Sequence, residues 1–425
     1  MKLKRELGLF STTLYGIGVI LGAGIYALIG VGAGLAGNML WLAFLAAALV
    51  AVFTGLSYAE LSSMFPKEAA EYNYTRKAFG KELFSFIIGW LLVVGILIAA
   101  STVALGFAGY FSSLFGGQLT LIAALVIAAT TIMNYLGIRE SANFNNFSSI
   151  LEALGLVIVI AIGFLLPPAS DFDLFIPPAD GFAGVMAAVS VIFFAYIGFE
   201  SITNLSEEVK DSRNTVPKAL VLALGISTLL YVLVAIAAVR EVGWEALSQS
   251  KAPLALVTER ALGSYSAALS LIALFATSNT VLIFLIVSSR ILYGMSRGGS
   301  IHPIFSVVGM RGTPYVSVIA VGAAAALCAA VFDIKTVAQL SDMSVFIAYF
   351  AVNASLIALS GKAISRRFRS PRVLGIPVFA YLGAASSLLM LAFFDAGIWL
   401  LEAVILAAGL LLFFIAKALA RGPGG

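Results

Sequence analysis

The sequence predicts an all-α integral membrane protein with twelve transmembrane helices, of which helices 1 and 6 are broken. Of the 425 residues, 61% are hydrophobic and only 11% are charged, and the mean hydropathy is +1.06. Soluble globular domains do not have this balance. Apolar stretches long enough to cross a bilayer, which takes about 20 residues, recur along the whole chain. Basic residues collect in alternate connections between these stretches, as in multi-pass membrane proteins.

The predicted spans follow one another with short polar connections. In chain order they cover residues 9–35, 39–65, 84–114, 118–136, 144–166, 182–206, 215–239, 264–294, 315–332, 337–360, 373–393 and 396–419.

The distribution of basic residues predicts the orientation of the chain. With the N-terminus in the cytoplasm, only four of the 25 Lys and Arg residues lie outside, namely Arg240, Lys251, Arg260 and Lys335. This asymmetry follows the positive-inside rule and favours an even number of spans with both termini cytoplasmic, in a multi-pass protein of the cell membrane. The net charge of +4 is spread over many short connections, so it does not indicate nucleic-acid binding.

A connection rich in proline and aspartate, residues 167–180, separates the first five spans from the next five. Because five is odd, the second set starts from the opposite side of the membrane, and a repeat between the two sets would be inverted. The chain then consists of a first repeat over residues 1–166 (helices 1–5), a second repeat over 182–360 (helices 6–10), and two additional C-terminal helices over 373–419.

Two spans combine apolar length with residues that interrupt a helix. Residues 15–34 are rich in glycine, and a loosened turn at membrane depth is tolerated where it is buried in protein or lines a cavity. Close helix packing explains these glycines equally well, since Gly18 and Gly22 have small-xxx-small spacing. The inverted repeat predicts a second interruption in span 6, where Gly198 is followed by Glu200.

Four stretches carry a resemblance to a known family. In chain order they are Gly18–Tyr26, Ser57–Pro66, Phe193–Glu200 and Arg290–Arg297. On these stretches the sequence resembles the amino acid–polyamine–organocation (APC) superfamily and, within it, the cationic-amino-acid-transporter-like branch. The resemblance implies the LeuT-type fold with a five-plus-five inverted repeat, and the transport of amino acids or related amines.

The resemblance also implies a substrate site between the two interruptions. The substrate carboxylate is assigned to Gly22, Ala23 and Gly24, and the substrate amine to the carbonyl groups of Phe194, Ala195 and Ile197. Free N–H groups at a helix N-terminus suit a carboxylate, and unwound carbonyls suit an ammonium. Phe194 and Tyr196 are candidates for the walls of the site, with lipid contact or core packing as the alternative.

Coupling to an ion is assigned to span 5. Glu152 follows Ser148 and Ser149 on a face of small and polar residues, and related permeases carry a lysine at the aligned position. Proton coupling through Glu152 is the first hypothesis, and pairing of ionised Glu152 with sodium or uncoupled exchange are the alternatives. Asn279 and Thr280 are the aligned polar partners, although their side chains can also satisfy the helix backbone.

Three further carboxyls, in or near spans 2 and 6, are interpreted as structural, gating or solvated groups. Glu200 is interpreted as a gating or structural carboxyl. The charged connection that contains Glu60 and Glu71 is interpreted as a solvated surface or, alternatively, as part of an inner gate.

The single histidine, His302, and the single cysteine, Cys328, leave little material for hydrolytic chemistry, and no metal site or cofactor is expected.

The sequence therefore predicts a secondary active amino acid transporter that works by alternating access. It is not expected to be an enzyme. Its expected partners are a small amino acid substrate and the lipid bilayer, with a proton or sodium as the coupling ion and no nucleic acid. A membrane sensor that binds an amino acid without transporting it is the alternative from another class. The oligomeric state carries no sequence signal.

Overall fold

The structure of the protein, a computed structural model, describes residues 7–66, 70–136, 138–168, 173–204, 206, 209–262, 267–309 and 312–420. Within these ranges the chain forms α-helices and short 3₁₀ turns. The α-helices are α1 (Leu9–Leu21), α2 (Ala23–Ala36), α3 (Leu40–Met64), α4 (Ala70–Phe79), α5 (Glu82–Phe115), α6 (Leu119–Leu136), α7 (Ile138–Leu165), α8 (Gly181–Ile192), α9 (Ser201–Asn204), α10 (Ser212–Val242), α11 (Trp244–Gln249), α12 (Pro253–Leu262), α13 (Ala267–Arg297), α14 (Tyr315–Val331), α15 (Ile334–Leu359), α16 (Val378–Leu391) and α17 (Ala396–Ala420).

The long helices fall where the sequence predicts membrane spans. Within the described ranges, nine helical stretches are long and apolar enough to cross a membrane, and α2, α3 and the turn between them count as one of these. Three further apolar helices, α1, α14 and α16, are shorter than 18 residues. The chain is therefore a multi-pass helical membrane protein, and the total of twelve spans stays a prediction.

Three helices lie in connections that the sequence analysis left without structure. Helix α4 follows α3, and α11 and α12 lie between α10 and α13. In α4, Glu71 lies in the first turn and Arg76 and Lys77 in the last. This arrangement complements the helix dipole and favours a helix in a sequence too polar for a membrane span.

The connections collect at two ends of the helix bundle. One of them, which we call the basic end, contains the connection 360–377, the start of α10 and the 3₁₀ turn Pro303–Ser306. Here Glu60 accepts hydrogen bonds from Arg366 at 2.8 Å and Arg372 at 2.7 Å, so the end of α3 is tied to the 360–377 connection.

The other end, which we call the opposite end, contains residues 173–180 together with α11 and α12. Asn38 and Trp41 donate side-chain hydrogen bonds to the carbonyls of Asp173 and Leu174 at 3.1 and 3.0 Å. Ser248 of α11 lines the same surface cavity as Gly34 and Lys335, so the start of α15 lies at this end too.

The solvated-surface interpretation of the charged connection after span 2 is wrong for two of its carboxyls. Glu60 is fully buried in its cluster with Arg366, Arg372 and Ser370, and Glu71 is only 2% exposed. A carboxylate can be buried here because the arginines and the Ser370 hydroxyl and N–H satisfy it. The solvated-surface interpretation also extends to Lys67 in this connection and to Glu207 and Glu208 after span 6, and these three residues lie outside the described ranges.

Candidate functional site

The first predicted interruption is present and is centred on one residue. Helix α1 ends at Leu21, α2 begins at Ala23, and Gly22 between them has φ −28° and ψ −128°, outside the helical region. The first four N–H groups of a helix have no partner within it, so the N–H groups of the first turn of α2, which begins at Ala23, make no hydrogen bond inside that helix. The broken helix therefore offers N–H groups at Ala23 and Gly24, where the sequence places the carboxylate.

The second interruption extends over more residues. Helix α8 ends at Ile192 and continues as a 3₁₀ turn over Phe193–Tyr196, after which Ile197 is extended and Gly198 has φ +117°. This φ is strained for any residue with a side chain, so glycine is required there. The chain returns to a helix at Ser201.

The two interruptions lie against each other. A Cβ added to Gly24 would lie 2.9 Å from the backbone N of Ala195 and would also meet its Cα, and a Cβ added to Gly198 would lie 2.6 Å from a methyl group of Val19. Backbones can approach this closely only because glycine has no side chain. The residues assigned to the carboxylate and to the amine are therefore neighbours in space.

Tyr231 of α10 joins the two interruptions and was not singled out in the sequence. Its hydroxyl lies within hydrogen-bond distance of the carbonyl of Ile20, in the last turn of α1, and of the carbonyl of Ala195 at 3.0 Å. Its ring also packs against Tyr196, with 5.3 Å between the centroids. A buried tyrosine in a predicted span is too common to be a signal by itself, so only the fold identifies this role.

Two of the three carbonyl groups assigned to the amine, those of Phe194 and Ala195, already accept one hydrogen bond each. Ile197 N–H donates to the Phe194 carbonyl at 3.1 Å, and Tyr231 donates to that of Ala195. Because a carbonyl oxygen has two lone pairs, each can accept a second hydrogen bond. Phe194 and Tyr196 are both buried; Tyr196 donates to the carbonyl of Phe44 at 3.1 Å, so its hydroxyl is engaged in packing.

Glu152 and its predicted partners lie beside the first interruption. The Glu152 side chain is fully buried, and Asn279 Nδ2 donates to its Oε1 at 3.4 Å. A Cβ added to Gly22 would collide with the Thr280 hydroxyl, which places Thr280 against the interruption. Thr280 also donates to the Ala276 carbonyl at 3.1 Å, so its hydroxyl satisfies its own helix backbone. The structure thus brings span 5, span 8 and the first interruption together.

Glu200 lies in a separate group. One of its carboxyl oxygens accepts a hydrogen bond from the Gly198 N–H at 3.0 Å and another from the Tyr349 hydroxyl at 2.7 Å. These contacts satisfy an N–H that the interruption leaves free, which favours the structural alternative for this carboxyl. Tyr349 belongs to α15, so Glu200 also fixes α15 against the broken helix.

A second carboxyl of α15, Asp342, was missed in the sequence although it lies within the predicted span 337–360. An ionisable residue inside a span is by itself a signal of function, and this rule alone selects Asp342. Its side chain is fully buried, and its carboxyl interacts with the backbone N–H of Phe194, in the second interruption.

Comparison with known proteins agrees with this architecture. The model of the amino acid permease family matches residues 7–414. The chain belongs to the amino acid permease family, within the APC superfamily. The permease is therefore a membrane transporter rather than an enzyme.

The relatives of the permease are named for different substrates. It is 33% identical to the branched-chain amino acid permease BcaP of Bacillus subtilis over 405 residues, which covers 89% of this chain and 86% of the relative. It is 30% identical to the methylthioribose transporter of the same organism, covering 97% and 93%. With cationic amino acid transporter 4 of Homo sapiens it shares 30% identity, over 84% of this chain and 60% of the longer relative.

Proposed function

We propose that this permease is a secondary active transporter that moves amino acids across the cell membrane by alternating access. The observation that carries the proposal is the direct approach of two interrupted helices, at Gly24 and Ala195. Interrupted helices that meet in this way form the substrate and ion sites of many secondary transporters. We take the fold to be of the LeuT type, with twelve spans and the five-plus-five repeat.

The backbone groups at the interruptions match an amino acid zwitterion. The N-terminus of α2, at Ala23 and Gly24, presents free N–H groups and the positive end of a helix dipole to the carboxylate. The carbonyls of the second interruption, at Phe194, Ala195 and Ile197, receive the ammonium. Two of the relatives are named for amino acids with unlike side chains, and the third is named for methylthioribose, which is not an amino acid. The proposal therefore rests on the main-chain groups of this permease, and a competition panel of unlabelled amino acids with methylthioribose identifies the substrate.

A proton is the proposed coupling ion, and Glu152 is its binding group. Glu152 lies next to the broken helix, because its backbone carbonyl accepts a hydrogen bond from the Tyr26 hydroxyl of α2 at 3.0 Å. Its carboxyl is buried, Asn279 donates a single long hydrogen bond to one oxygen, and the other oxygen has no hydrogen-bond partner among the described residues. An ionised carboxyl so poorly solvated is costly, and a bound proton removes that cost. Movement of the first interruption during transport changes the exposure of Glu152 and so its proton occupancy.

Uptake of radiolabelled amino acid into proteoliposomes tests the proposal. An inward proton gradient should drive accumulation by the wild-type permease, and Glu152→Gln should lower this accumulation by about tenfold or more while exchange without a gradient continues. The matched control is Glu402→Gln on α17, which also alters a buried carboxyl, held there by the Ser344 hydroxyl at 2.9 Å. An unchanged pH profile in Glu152→Gln contradicts proton coupling through this residue.

Sodium coupling is the second candidate, and the proximity of Thr280 to Gly22 favours it. A carboxylate with nearby hydroxyl and carbonyl oxygens suits a hard cation. Equal uptake in sodium-containing and sodium-free buffer at fixed pH excludes this candidate. Binding without uptake or exchange would instead indicate a sensor.

The basic end is the proposed cytoplasmic side. Arg366, Arg367, Arg369 and Arg372 lie in a single connection there, whereas the opposite end has Arg240, Lys251, Arg260 and Lys335. The positive-inside rule then places both termini in the cytoplasm and the permease in the cell membrane.

A further inference from the structure

Asp342 is a buried acid that the proposed transport mechanism does not use. It lies in α15, its side chain is fully buried, and neither carboxyl oxygen has a hydrogen-bond partner at normal distance among the described residues. Three other buried carboxyls have a partner: Glu60 pairs with two arginines, Glu402 accepts from Ser344, and Glu241 forms an ion pair with Arg260 at 3.5 Å. Glu152 has a partner, Asn279, on one of its two oxygens. An unsatisfied acid inside a membrane protein is costly and calls for a functional explanation.

Among the described residues, no Lys or Arg forms an ion pair with Asp342, and the basic residue of its own helix, Lys335, is exposed near the start of α15. The backbone N–H of Phe194 faces it from the second interruption, and Tyr349 on its own helix lies within electrostatic reach. Glu200 reaches this region through Tyr349, and Glu402 approaches α15 from α17 through Ser344.

The other helices packed against α15 add no positive charge near Asp342. Helices α8, α14 and α16 contain no Lys or Arg, and α3 contributes Tyr58 and Glu60. Helix α4 contributes Glu71 from the basic end, and its Arg76 and Lys77 are exposed there, while the only charged residue of α5, Glu82, pairs with Lys417 of α17. An ionised Asp342 would therefore be an uncompensated buried charge, which is strongly unfavourable.

The predicted repeat gives Asp342 a counterpart. In a five-plus-five repeat, span 5 corresponds to span 10 and span 1 to span 6. Glu152 lies in span 5 and is placed beside the interruption of span 1, and Asp342 lies in span 10 and faces the interruption of span 6. Each interrupted helix thus has one incompletely satisfied buried acid, contributed by the fifth helix of its own repeat.

We propose that Asp342 is a second proton-binding site of the permease and the counterpart of Glu152 in the second repeat. A proton is the cation that fits a carboxyl with no exposed surface, since it needs no cavity. The O–H bond forms when the site faces water on one side of the membrane, and it breaks when the proton passes to water on the other. Movement of the second interruption, at Phe194, controls this access.

This inference rests on the proposed alternating-access transport, and its test measures protons and substrate separately. The wild type, Asp342→Asn and the control Glu402→Gln are reconstituted with a pH-sensitive dye inside the vesicles, and proton entry is recorded alongside radiolabelled amino acid. Asp342→Asn should lower the protons moved per substrate and reduce gradient-driven accumulation by about tenfold, while exchange at equal pH stays within about threefold of wild type. Glu402→Gln should match the wild type in all three measurements.

Wild-type proton movement in Asp342→Asn overturns the inference. Where Asp342→Asn does not give a folded protein, Asp342→Glu decides, because its longer side chain moves the carboxyl relative to Phe194. A shifted pH for half-maximal uptake in Asp342→Glu supports the inference and an unchanged one overturns it. Failure of the proposed function is a different result, since the wild type itself would then show no amino acid exchange.

Discussion

Glu71 is a buried carboxyl outside the predicted spans, in α4 at the basic end. Burial raises its pKa from 4.5 to about 7, and the nearby carboxyl of Glu200 adds to this increase. Tyr58 and Tyr74 lie within electrostatic reach of the same carboxyl. At a pH between these two pKa values, the Glu71 carboxyl keeps its proton in the folded protein but has lost it in the unfolded chain. The free energy of unfolding therefore falls as the pH rises from 4.5 to about 7.

Replacing Glu71 with Gln should remove this pH dependence. The neutral glutamine side chain imitates the protonated acid, so Glu71→Gln should be as stable as the wild type near pH 4.5. Above pH 7 it should be more stable, by about 1.4 kcal/mol in the free energy of unfolding for each unit of pKa shift. Melting temperature in detergent from pH 5 to pH 8 measures the difference. Glu245→Gln, at an exposed carboxyl of α11, is the control. Parallel curves for Glu71→Gln and the wild type would contradict the prediction.

At single residues, the sequence is informative where the backbone is unusual and uninformative where partners come from far away. Glycine marks both interruptions, at Gly22 and Gly198, because only glycine tolerates the close approach or the positive φ found there. The burial of Glu60 depends on arginines more than 300 residues later, which no local pattern reveals. Asp342 was detectable by its position inside a span, but its unsatisfied state is a property of the fold.

Helix interruptions are the elements on which the proposed transport depends. A Cβ at Gly24 would overlap with the backbone of Ala195, so Gly24→Ala forces α2 and the 3₁₀ turn apart. We expect Gly24→Ala to reduce amino acid uptake by about tenfold or more, because the groups assigned to carboxylate and amine separate. Radiolabelled uptake and melting temperature, measured together, distinguish this from unfolding.

Gly225→Ala is the matched control for Gly24→Ala. Gly225 lies inside α10, and a Cβ there meets no atom within 4 Å. Alanine is the better helix former by about 1 kcal/mol, so this variant should keep wild-type uptake and be at least as stable. Wild-type uptake in Gly24→Ala would show that the contact with Ala195 is not needed for transport.

The helices were predicted well where the length of an apolar stretch alone determines their position, and poorly where other factors determine it. The predicted span 84–114 and helix α5, Glu82–Phe115, differ by two residues or fewer at each end. Helices α11 and α12 follow α10 directly in a mixed polar sequence, and contacts such as that of Ser248 with α2 hold them in place. Such tertiary contacts override local propensity, and a single sequence does not display them.

At the scale of the whole molecule, the two ends of the helix bundle differ in charge, and the arginine-rich 360–377 connection lies at the basic end. The 360–377 connection carries Arg366, Arg367 and Arg372, and each forms an ion pair at the basic end, with Glu60 or Asp211. The pair of Arg367 with Asp211 is exposed and contributes about 1 kcal/mol or less, whereas those of Glu60 are buried. In the proposed alternating access this end opens and closes, so the ion pairs of Glu60 must either break on opening or move together with the helices that carry them.

Single cysteines test which end faces the cytoplasm. Cys328, the only cysteine, is replaced by Ser, and a new cysteine is placed either at Glu245 on α11 or at Ala363 in the 360–377 connection, both exposed positions. A membrane-impermeant maleimide should label Glu245→Cys in intact cells and Ala363→Cys only after permeabilisation, because the positive-inside rule places the basic end in the cytoplasm. The Cys328→Ser protein without a new cysteine is the control and should stay unlabelled. Labelling of Ala363→Cys in intact cells would reverse the orientation, and with it the side from which Glu152 and Asp342 are proposed to take up protons.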